Sequence, residues 1–253
     1  MIRGVLLDLS GVLYIGNKPV PGAVEAVQQL SGAGIPIRYI TNTTRKSSSA
    51  ILKQLANMQF EVKPDELFTA PAAAKDYLEK NHLVPCLLIH PNLEDEFTEY
   101  KNNLDINAVL VGDAEDSFTY KKMNEAFRYI RDGATFLALG VNRYFRDGNQ
   151  FSLDAGPFVK ALEFASGQIP IVIGKPSREF YLSAVNSTGC DPEEVIMVGD
   201  DVESDVLGAV DAGLHGILVQ TGKYSQGDEK KLSANASLKK DISAAVDYIL
   251  KNS

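Results

Sequence analysis

Short apolar runs alternate with amphipathic segments in the N-terminal part of the chain. The runs at residues 5–9 and 35–40 are mostly apolar, which is typical of buried strands. The segments at 23–30 and 47–58 carry apolar residues at helical spacing, such as Ile51 and Leu55. Strand, helix, strand, helix is the order of a parallel sheet covered on both faces. The pattern therefore predicts a doubly wound α/β fold.

A second α/β pattern occupies residues 70–169. It predicts helices at 72–80 and 120–131, a further helix through Phe158 and Leu162, and strands at 85–89, 108–111 and 135–139. Residues 142–153 predict a hairpin around Arg146-Asp147-Gly148-Asn149. A loop of a folded domain tolerates insertion. We therefore expect residues 70–169 to be an α/β domain inserted into the first.

The first pattern resumes at Ile171-Val172-Ile173, which we assign to the parent domain. Helices are predicted at 177–187, 202–212 and 242–250, and strands at 195–198 and 216–219. The predicted organisation is a core of residues 1–69 and 170–253, interrupted by the inserted domain of residues 70–169.

Polar residues stand where the predicted core strands end. They are Asp8 with Ser10, Thr41 with Asn42, Lys175, and Asp200 with Asp201 and Asp205. In a doubly wound sheet, ligands bind in the crevice beyond the carboxyl ends of the strands. We therefore expect these residues to converge on one site.

The residue types in this set suit phosphoryl transfer. Several carboxylates share a site only if a cation pairs with them, and Mg²⁺ takes one or two carboxylates while keeping several waters. The hydroxyl of Thr41 and the backbone N–H groups at Asn42 suit phosphate oxygens, and Lys175 can neutralise a phosphate and a carboxylate. The set therefore predicts transfer of a phosphoryl group with Asp8 as the attacking nucleophile.

Each residue taken alone has a simpler explanation. Asp8 can cap the loop after its strand, Thr41 can cap a helix, and Lys175 can be a solvated loop residue. Acidic residues such as Asp205 are favoured in the first turn of a helix. The acidic pair that begins at Asp200 directly follows an apolar strand and is harder to explain without a cation. The set as a whole therefore favours a catalytic site.

Composition and charge narrow the class of partner. The chain has 253 residues and a net charge of -8, which argues against a general nucleic-acid binder but not against a small phosphorylated ligand. Cys86 and Cys190 supply no metal or disulfide framework, which fits a reducing compartment. No apolar run approaches membrane-spanning length. We therefore expect a cytoplasmic protein that binds no membrane.

Six segments together resemble the haloacid dehalogenase superfamily of aspartate-nucleophile phosphatases. They are Leu7-Asp8-Leu9-Ser10-Gly11-Val12-Leu13, Thr41-Asn42, Asp154-Ala155-Gly156-Pro157-Phe158, Gly174-Lys175-Pro176, Gly199-Asp200-Asp201 and Thr221-Gly222-Lys223. The resemblance covers essentially the whole chain and is greatest for class IIA, whose large α/β cap is inserted after the second motif. Within that class the chain is most similar to the phosphatases of phospholysine, phosphohistidine and inorganic pyrophosphate and to their close relatives, the haloacid dehalogenase-like hydrolase domain-containing type. The resemblance implies a Rossmann-like core with an inserted C2-type cap.

The resemblance also implies a Mg²⁺ site around Asp8. Asp8 would be the nucleophile that becomes an aspartyl phosphate, and it would also bind the ion. Ser10 would give its backbone carbonyl to the ion, and Asp200 would be the third protein ligand. Asp201 would belong to the same metal site by orienting metal-bound water.

The resemblance assigns the remaining residues to substrate. Thr41 and Asn42 would hold the phosphate with Lys175 across from them, and Asp205 would orient Lys175 or metal-bound water. The cap would select small substrates, and Arg143 in the predicted hairpin could meet an anionic group, with a solvated cationic face as an equal alternative. Because capped relatives often pair through the cap, a homodimer of this kind is a further expectation.

Ser10 departs from most phosphatases of the superfamily, which carry a second Asp at this position. That Asp is the general acid for the leaving group and the general base for water, and serine can do neither at neutral pH. General acid–base catalysis is worth roughly 10²–10⁴-fold, so alkyl phosphate esters should be poor substrates. Phosphoramidates can carry a proton on the leaving nitrogen, and pyrophosphate leaves as a stable anion. We therefore hypothesise substrates of these two classes.

Two other functions remain open at this point. A phospho-ligand-binding protein with little turnover would explain Ser10, although the residues for metal and phosphate are complete. A metal-free dehalogenase would use the same Asp8 but would leave Asp200 and Asp201 without a cation. The leading prediction is a Mg²⁺-dependent phosphatase of small phosphorylated compounds.

Overall fold

The computed structural model describes residues 1–101, 103–147 and 150–253. The strands are β1 (Gly4–Asp8), β2 (Tyr14–Ile15), β3 (Lys18–Pro19), β4 (Ile37–Thr41), β5 (Leu67–Thr69), β6 (Pro85–Leu88), β7 (Ala108–Val111), β8 (Thr135–Ala138), β9 (Tyr144–Asp147), β10 (Gln150–Leu153), β11 (Ile171–Val172), β12 (Val195–Gly199), β13 (His215–Val219) and β14 (Ala236–Lys239). The α-helices are α1 (Ala23–Gly32), α2 (Ser48–Asn57), α3 (Ala70–Lys80), α4 (Tyr120–Arg131), α5 (Ala155–Ser166), α6 (Arg178–Asn186), α7 (Gly208–Asp211) and α8 (Ile242–Lys251). A π-helix spans Val202–Leu207, and 3₁₀ segments span Pro64–Glu66, Pro91–Tyr100, Glu115–Ser117, Pro192–Glu194 and Asp228–Lys231.

These elements divide into two compact units. The core unit comprises Met1–Thr41, Ser48–Phe68 and Lys175–Ser253, and the inserted unit comprises Asn42–Ser47 and Thr69–Gly174. Within the described ranges, no helix is both long enough and apolar enough to cross a bilayer.

A sheet with β1 in its interior forms the middle of the core unit. Its strand order is β14-β13-β12-β1-β4-β5, and β1 pairs in parallel with both β12 and β4. The chain runs from β1 to β4 on one side and later continues at β12 on the other, so the strand order reverses at β1. Ligand crevices of doubly wound sheets open at this reversal, beyond the carboxyl ends of the strands. Asp8, the last residue of β1, therefore stands at such a point.

Apolar contacts on both faces explain the central place of β1. Val5 and Leu7 belong to a buried cluster that includes Ile249 of α8. Leu6 between them is also fully buried, because alternate residues of a strand point to opposite faces of the sheet. A parallel strand covered on both faces has little freedom to move. The backbone at Asp8 is accordingly fixed by its neighbours.

The inserted unit is a second α/β structure with its own apolar core. Its sheet has the order β11-β8-β7-β6, and each neighbouring pair is parallel. Leu137 packs with residues of α3, and Val111 packs with residues of α4 and α5. The strands β9 and β10 pair as the predicted antiparallel hairpin. The predicted turn at Gly148 and Asn149 lies outside the described residues.

The assignment of Ile171-Val172 to the parent domain is wrong. These residues form β11, which pairs with β8 of the inserted unit and places Ile171 opposite Leu137. A short apolar segment can complete the edge of either sheet, so its pattern does not reveal which sheet will take it. The inserted unit extends to Gly174 and includes Asn42–Ser47, and is thus wider than the predicted residues 70–169.

Strand β14 is absent from the sequence-based prediction. It lies beside β13 at the edge of the core sheet and is only half-buried, with Ser237 and Lys239 among its residues. An edge strand of this kind has no apolar run, which is the signal that predicts a buried strand. The polar composition of an edge therefore hides it from hydrophobic patterning.

Leu55→Ala is expected to destabilise the core unit. Leu55 lies on α2 and is fully buried in the cluster that contains Leu7. Removal of a buried leucine side chain leaves a cavity and typically lowers the free energy of unfolding by about 2–5 kcal/mol. Urea unfolding followed by circular dichroism measures the change. Leu104→Ala is the control, because Leu104 is 93% exposed, and equal losses in both variants would contradict the assigned core.

Candidate active site

Asp8, Lys175, Asp200 and Asp205 lie together in the core unit, and each is between 2% and 7% exposed. Asp8 ends β1, Asp200 directly follows β12, and Asp205 lies in the π-helix. One carboxylate oxygen from each of these three acids lies within 4.8 Å of the other two. The core sheet and its connections therefore form one buried acidic site from distant parts of the chain.

Lys175 connects two of these carboxylates. Its Nζ donates a hydrogen bond to Oδ1 of Asp8 and another, of 2.7 Å, to Oδ1 of Asp205. Hydrogen bonds between ionised groups are stronger than neutral ones, and burial reduces their screening by water. Lys175 is therefore fixed against the carboxylate that the sequence predicts as the nucleophile.

Asp205 has both carboxylate oxygens engaged. Oδ1 accepts from Lys175, and Oδ2 accepts the backbone N–H of Asp201 at 3.1 Å. The π-helix that carries it is a rare conformation that occurs frequently at functional sites. Gly199 permits the close packing, because a Cβ there would lie 2.2 Å from Cβ of Asp205. These contacts suit Asp205 for holding Lys175 in place.

The concentration of charge shifts the pKa values of the site. Burial raises the pKa of Asp8 to about 6, with Lys175 opposing this shift and Asp205 adding to it. Burial, followed by repulsion from Asp8 and Asp205, raises the pKa of Asp200 to about 8. Burial acts to lower the pKa of Lys175, but Asp205 and Asp8 outweigh it and raise that pKa well above its ordinary value. The site therefore contains more buried negative than positive charge.

Comparison with known proteins identifies the family. The family described as haloacid dehalogenase-like hydrolase matches residues 5–103, and the HAD-hydrolase-like family matches residues 172–246. Haloacid dehalogenase-like hydrolase domain-containing protein 2 of Homo sapiens is 42% identical, and the match covers 99% of this chain and 97% of that protein. This chain belongs to the haloacid dehalogenase-like hydrolase family.

Other relatives of this haloacid dehalogenase-like hydrolase are phosphatases. Phospholysine phosphohistidine inorganic pyrophosphate phosphatase of Danio rerio is 39% identical over 99% of this chain and 95% of that protein. The structure of NagD from E. coli K-12 matches with a TM-score of 0.85 and 25% identity, over 96% of this chain and 97% of that chain. The predicted family and α/β fold class are confirmed, and the protein is a phosphatase of this family.

The site of this hydrolase fits a divalent cation. Three buried carboxylates face one buried ammonium group, and burial with repulsion from Asp8 and Asp205 raises the pKa of Asp200 despite the opposing effect of Lys223. Carboxylate oxygens are the ligands that Mg²⁺ prefers. Because both oxygens of Asp205 are engaged, Asp8 and Asp200 are the side chains suited to hold the ion.

Asp201, predicted as part of the metal site, is not one of the three clustered acids. Its Oδ1 accepts the backbone N–H groups of Glu203 at 3.1 Å and Ser204 at 3.0 Å, and its Oδ2 pairs with Nζ of Lys223 at 3.2 Å. A side chain that accepts these N–H groups caps the helix that follows it. The contacts therefore give Asp201 a capping function, and its function at the metal stays a prediction.

Ser10 and Thr41 lie near the carboxyl end of β1. Ser10 follows Asp8 by two positions and is exposed, and Thr41 is buried at the end of β4. Ile40, next to Thr41, is in register with Asp8. The predicted functions of Ser10 at the metal and of Thr41 at the phosphate stay predictions.

Asn42 and Arg143 both belong to the inserted unit. Asn42 is half-buried and lies close to Gly174. A Cβ added to Gly174 would be 2.5 Å from Oδ1 of Asn42. Arg143 is exposed one position before β9. Their predicted contacts with substrate stay predictions.

Tyr181 is a site residue that the sequence does not reveal. It is fully buried on α6, and its hydroxyl donates to the backbone carbonyls of Ser204 and, at 3.1 Å, of Asp205. In the sequence it follows Phe180 in an amphipathic helix, where an aromatic residue indicates ordinary core packing. Only the folded structure shows that it braces the π-helix.

Asp200→Asn is expected to change how the stability of the metal-free protein depends on pH. The pKa of Asp200 is about 8 in the folded protein, against about 3.9 for an ordinary Asp. Between these values the folded state binds a proton that the unfolded chain has lost. The free energy of unfolding therefore falls as pH rises through this window, by at most about 1.4 kcal/mol per pH unit for this one group.

Urea midpoints between pH 6 and 8 in a chelating buffer isolate this effect, because the pKa of Asp8 is about 6. The wild type should lose stability across this range, and Asp200→Asn should show a flatter profile. Asp247→Asn, at an exposed position of α8, is the control. An unchanged slope in Asp200→Asn would contradict the raised pKa.

Proposed function

We propose that this haloacid dehalogenase-like hydrolase is a Mg²⁺-dependent phosphatase of small phosphorylated compounds that forms an aspartyl phosphate on Asp8. The contact of Lys175 with both Asp8 and Asp205 carries the proposal. A carboxylate fixed at the end of a rigid strand and held by a buried lysine is well placed to attack phosphorus. The neighbouring Asp200 supplies the second carboxylate for the ion.

The residues of the chain divide the chemistry between them. An oxygen of Asp8 attacks phosphorus, and the bond from phosphorus to the leaving atom breaks with its electron pair going to that atom. Lys175 keeps Asp8 oriented and offsets the negative charge that accumulates, while Asp205 fixes Lys175. Water then attacks phosphorus, and the bond from phosphorus to the Asp8 oxygen breaks with its electron pair returning to the carboxylate. The protons of the water leave with the released phosphate, which exchanges them with solvent. When bound at Asp8, Asp200 and the Ser10 carbonyl, Mg²⁺ would neutralise phosphate charge.

Ser10 points to the class of substrate. A serine hydroxyl is no acid at neutral pH, so the leaving group must depart without a strong proton donor at this position. Phosphoramidates with a protonated nitrogen and inorganic pyrophosphate meet this requirement. The name of the Danio rerio relative includes phospholysine, phosphohistidine and inorganic pyrophosphate, which supports the same classes here.

The alternative of a phospho-ligand-binding protein with little turnover is not favoured. Asp8 and Lys175 are in contact and buried, whereas binding alone would not need a nucleophile so placed. Cytoplasmic location stays a prediction. Pairing of two copies through the inserted unit also stays a prediction, and the exposed apolar side chains of Tyr144 and Leu153 on its hairpin are consistent with it.

Asp8→Asn is expected to abolish turnover. The amide has the shape of the carboxylate but cannot form an acyl phosphate, so phosphate release from pyrophosphate should fall by at least about 10³-fold. Acid quenching followed by intact mass spectrometry should detect a phosphorylated wild type and no phosphorylated variant. Asp211→Asn, at an exposed position of α7, is the matched control. Turnover that survives in Asp8→Asn would exclude the proposed nucleophile.

Ser10→Asp is expected to widen the substrate range. The added carboxyl group can protonate an alkoxide leaving group, so kcat/KM for an alkyl phosphate ester should rise by about 10²-fold or more. Phosphoramidates should gain far less, because their leaving nitrogen is already protonated. Phosphate release from both classes measures the difference, and Ser10→Ala, which adds no acid, is the control. Equal proportional gains on both classes would refute the explanation for Ser10.

A further inference from the structure

The loop Thr221-Gly222-Lys223 contacts two segments of the active site but has no part in the chemistry proposed above. It follows β13 in the core unit. The hydroxyl of Thr221 donates to the backbone carbonyl of Gly11 at 2.5 Å, and the backbone N–H of Lys223 donates to Oδ2 of Asp200 at 2.7 Å. The loop therefore joins the segment after β1 to the carboxylate after β12.

Two glycines allow the backbone to approach Asp200 so closely. Gly11 has a φ of +96° and Gly222 has a φ of +61°. Residues with a Cβ rarely adopt this region of backbone conformation. A Cβ at either position would lie 1.9 Å from Oδ2 of Asp200, and one at Gly222 would also lie 2.5 Å from Cα of Gly11. Oδ2 is thus enclosed by backbone from two loops.

The side chain of Lys223 ties the same loop to the π-helix. Its Nζ lies 3.2 Å from Oδ2 of Asp201, whose Oδ1 caps that helix at Ser204. The Lys223 side chain is about half exposed, so the pair contributes little to stability by itself. The contact that holds the loop to Asp200 is therefore the backbone N–H of Lys223 and not its side chain.

We infer that Thr221, Gly222 and the backbone of Lys223 position the carboxylate of Asp200 for a divalent cation. The loop takes up one oxygen of Asp200 and holds the carboxyl plane, which leaves the second oxygen for the ion. A backbone N–H also stabilises the ionised form that a metal ligand must have. This inference rests on the proposed Mg²⁺ site and adds the residues that orient one of its ligands.

A carboxylate that is oriented before the ion arrives loses less freedom on binding. Partners that orient metal ligands from behind typically contribute 10–100-fold to metal affinity. The hydrogen bond from the Thr221 hydroxyl to Gly11 can be removed with little change in side-chain shape. Valine has nearly the same volume as threonine and lacks the hydroxyl donor. Loss of this link frees the loop from Gly11 and so loosens the contact of Lys223 with Asp200.

Thr221→Val is expected to weaken Mg²⁺ binding by about 10-fold, measured by isothermal titration calorimetry on the full chain with Mg²⁺ as the only added ligand. Thr221→Ser should restore the wild-type affinity, because it keeps the hydroxyl. Thr98→Val is the matched control, since the hydroxyl of Thr98 donates to the carbonyl of Asp95 at 2.7 Å in the inserted unit. The thermal midpoints of the two valine variants without Mg²⁺ should be similar.

Two further variants separate the effect of the loop backbone on Mg²⁺ affinity from the effect of the Lys223 side chain. Gly222→Ala places a methyl group against Asp200 and should weaken Mg²⁺ binding more than Thr221→Val does. Lys223→Met keeps the backbone N–H and removes a nearby positive charge, so it should bind Mg²⁺ at least as tightly as the wild type. If Gly222→Ala does not fold, Thr221→Val and Lys223→Met still decide the question.

The outcomes distinguish this inference from the proposed function. If the wild type binds no Mg²⁺, the proposed metal site is contradicted, and the positioning function of the loop is contradicted with it. A wild type that binds Mg²⁺ while Thr221→Val binds equally well would overturn the positioning function alone. A loss of affinity in Thr221→Val that serine does not restore, or an equal loss in Thr98→Val, would reduce the effect to general destabilisation.

Discussion

Three carboxylates and one ammonium group share a buried space at the carboxyl edge of the core sheet. Burial alone would push these acids towards their neutral forms, and the raised pKa values of Asp8 and Asp200 show this pressure. Lys175 opposes this rise at Asp8, and Lys223 opposes it only in part at Asp200. The site therefore contains more buried negative than positive charge. Its carboxylate oxygens are ligands that a divalent cation prefers.

The rest of the core unit serves to hold that unfavourable arrangement in place. β1 is covered on both faces, so Asp8 cannot swing away from its neighbours. The π-helix brings Asp205 to Lys175, and Tyr181 supports it from α6. Gly11 and Gly222 let backbone groups reach Asp200 where side chains could not fit. Rigid packing around the site thus opposes the repulsion within it.

The inserted unit has its own sheet and its own apolar core. The core unit carries the family's charged residues, while the inserted unit carries the hairpin with the exposed Arg143 beside it. Ser10 adds a chemical restriction, because it provides no acid beside Asp8. Under the proposed mechanism, leaving-group chemistry therefore limits the substrates of the site.

Hydrophobic patterning and the positions of polar residues were enough to predict the α/β class, most core strands and the convergence of Asp8, Lys175 and Asp200. These features depend on local sequence, since strand periodicity and strand ends are readable from neighbouring residues. The tertiary structure alone decided that Ile171 completes the sheet of the inserted unit. It also decided that Asp201 caps a helix while Asp205 accepts a hydrogen bond from Lys175. Finally, it placed Tyr181 against the π-helix. Sheet edges and buried hydrogen bonds join residues far apart in the chain, and no local pattern records such pairings.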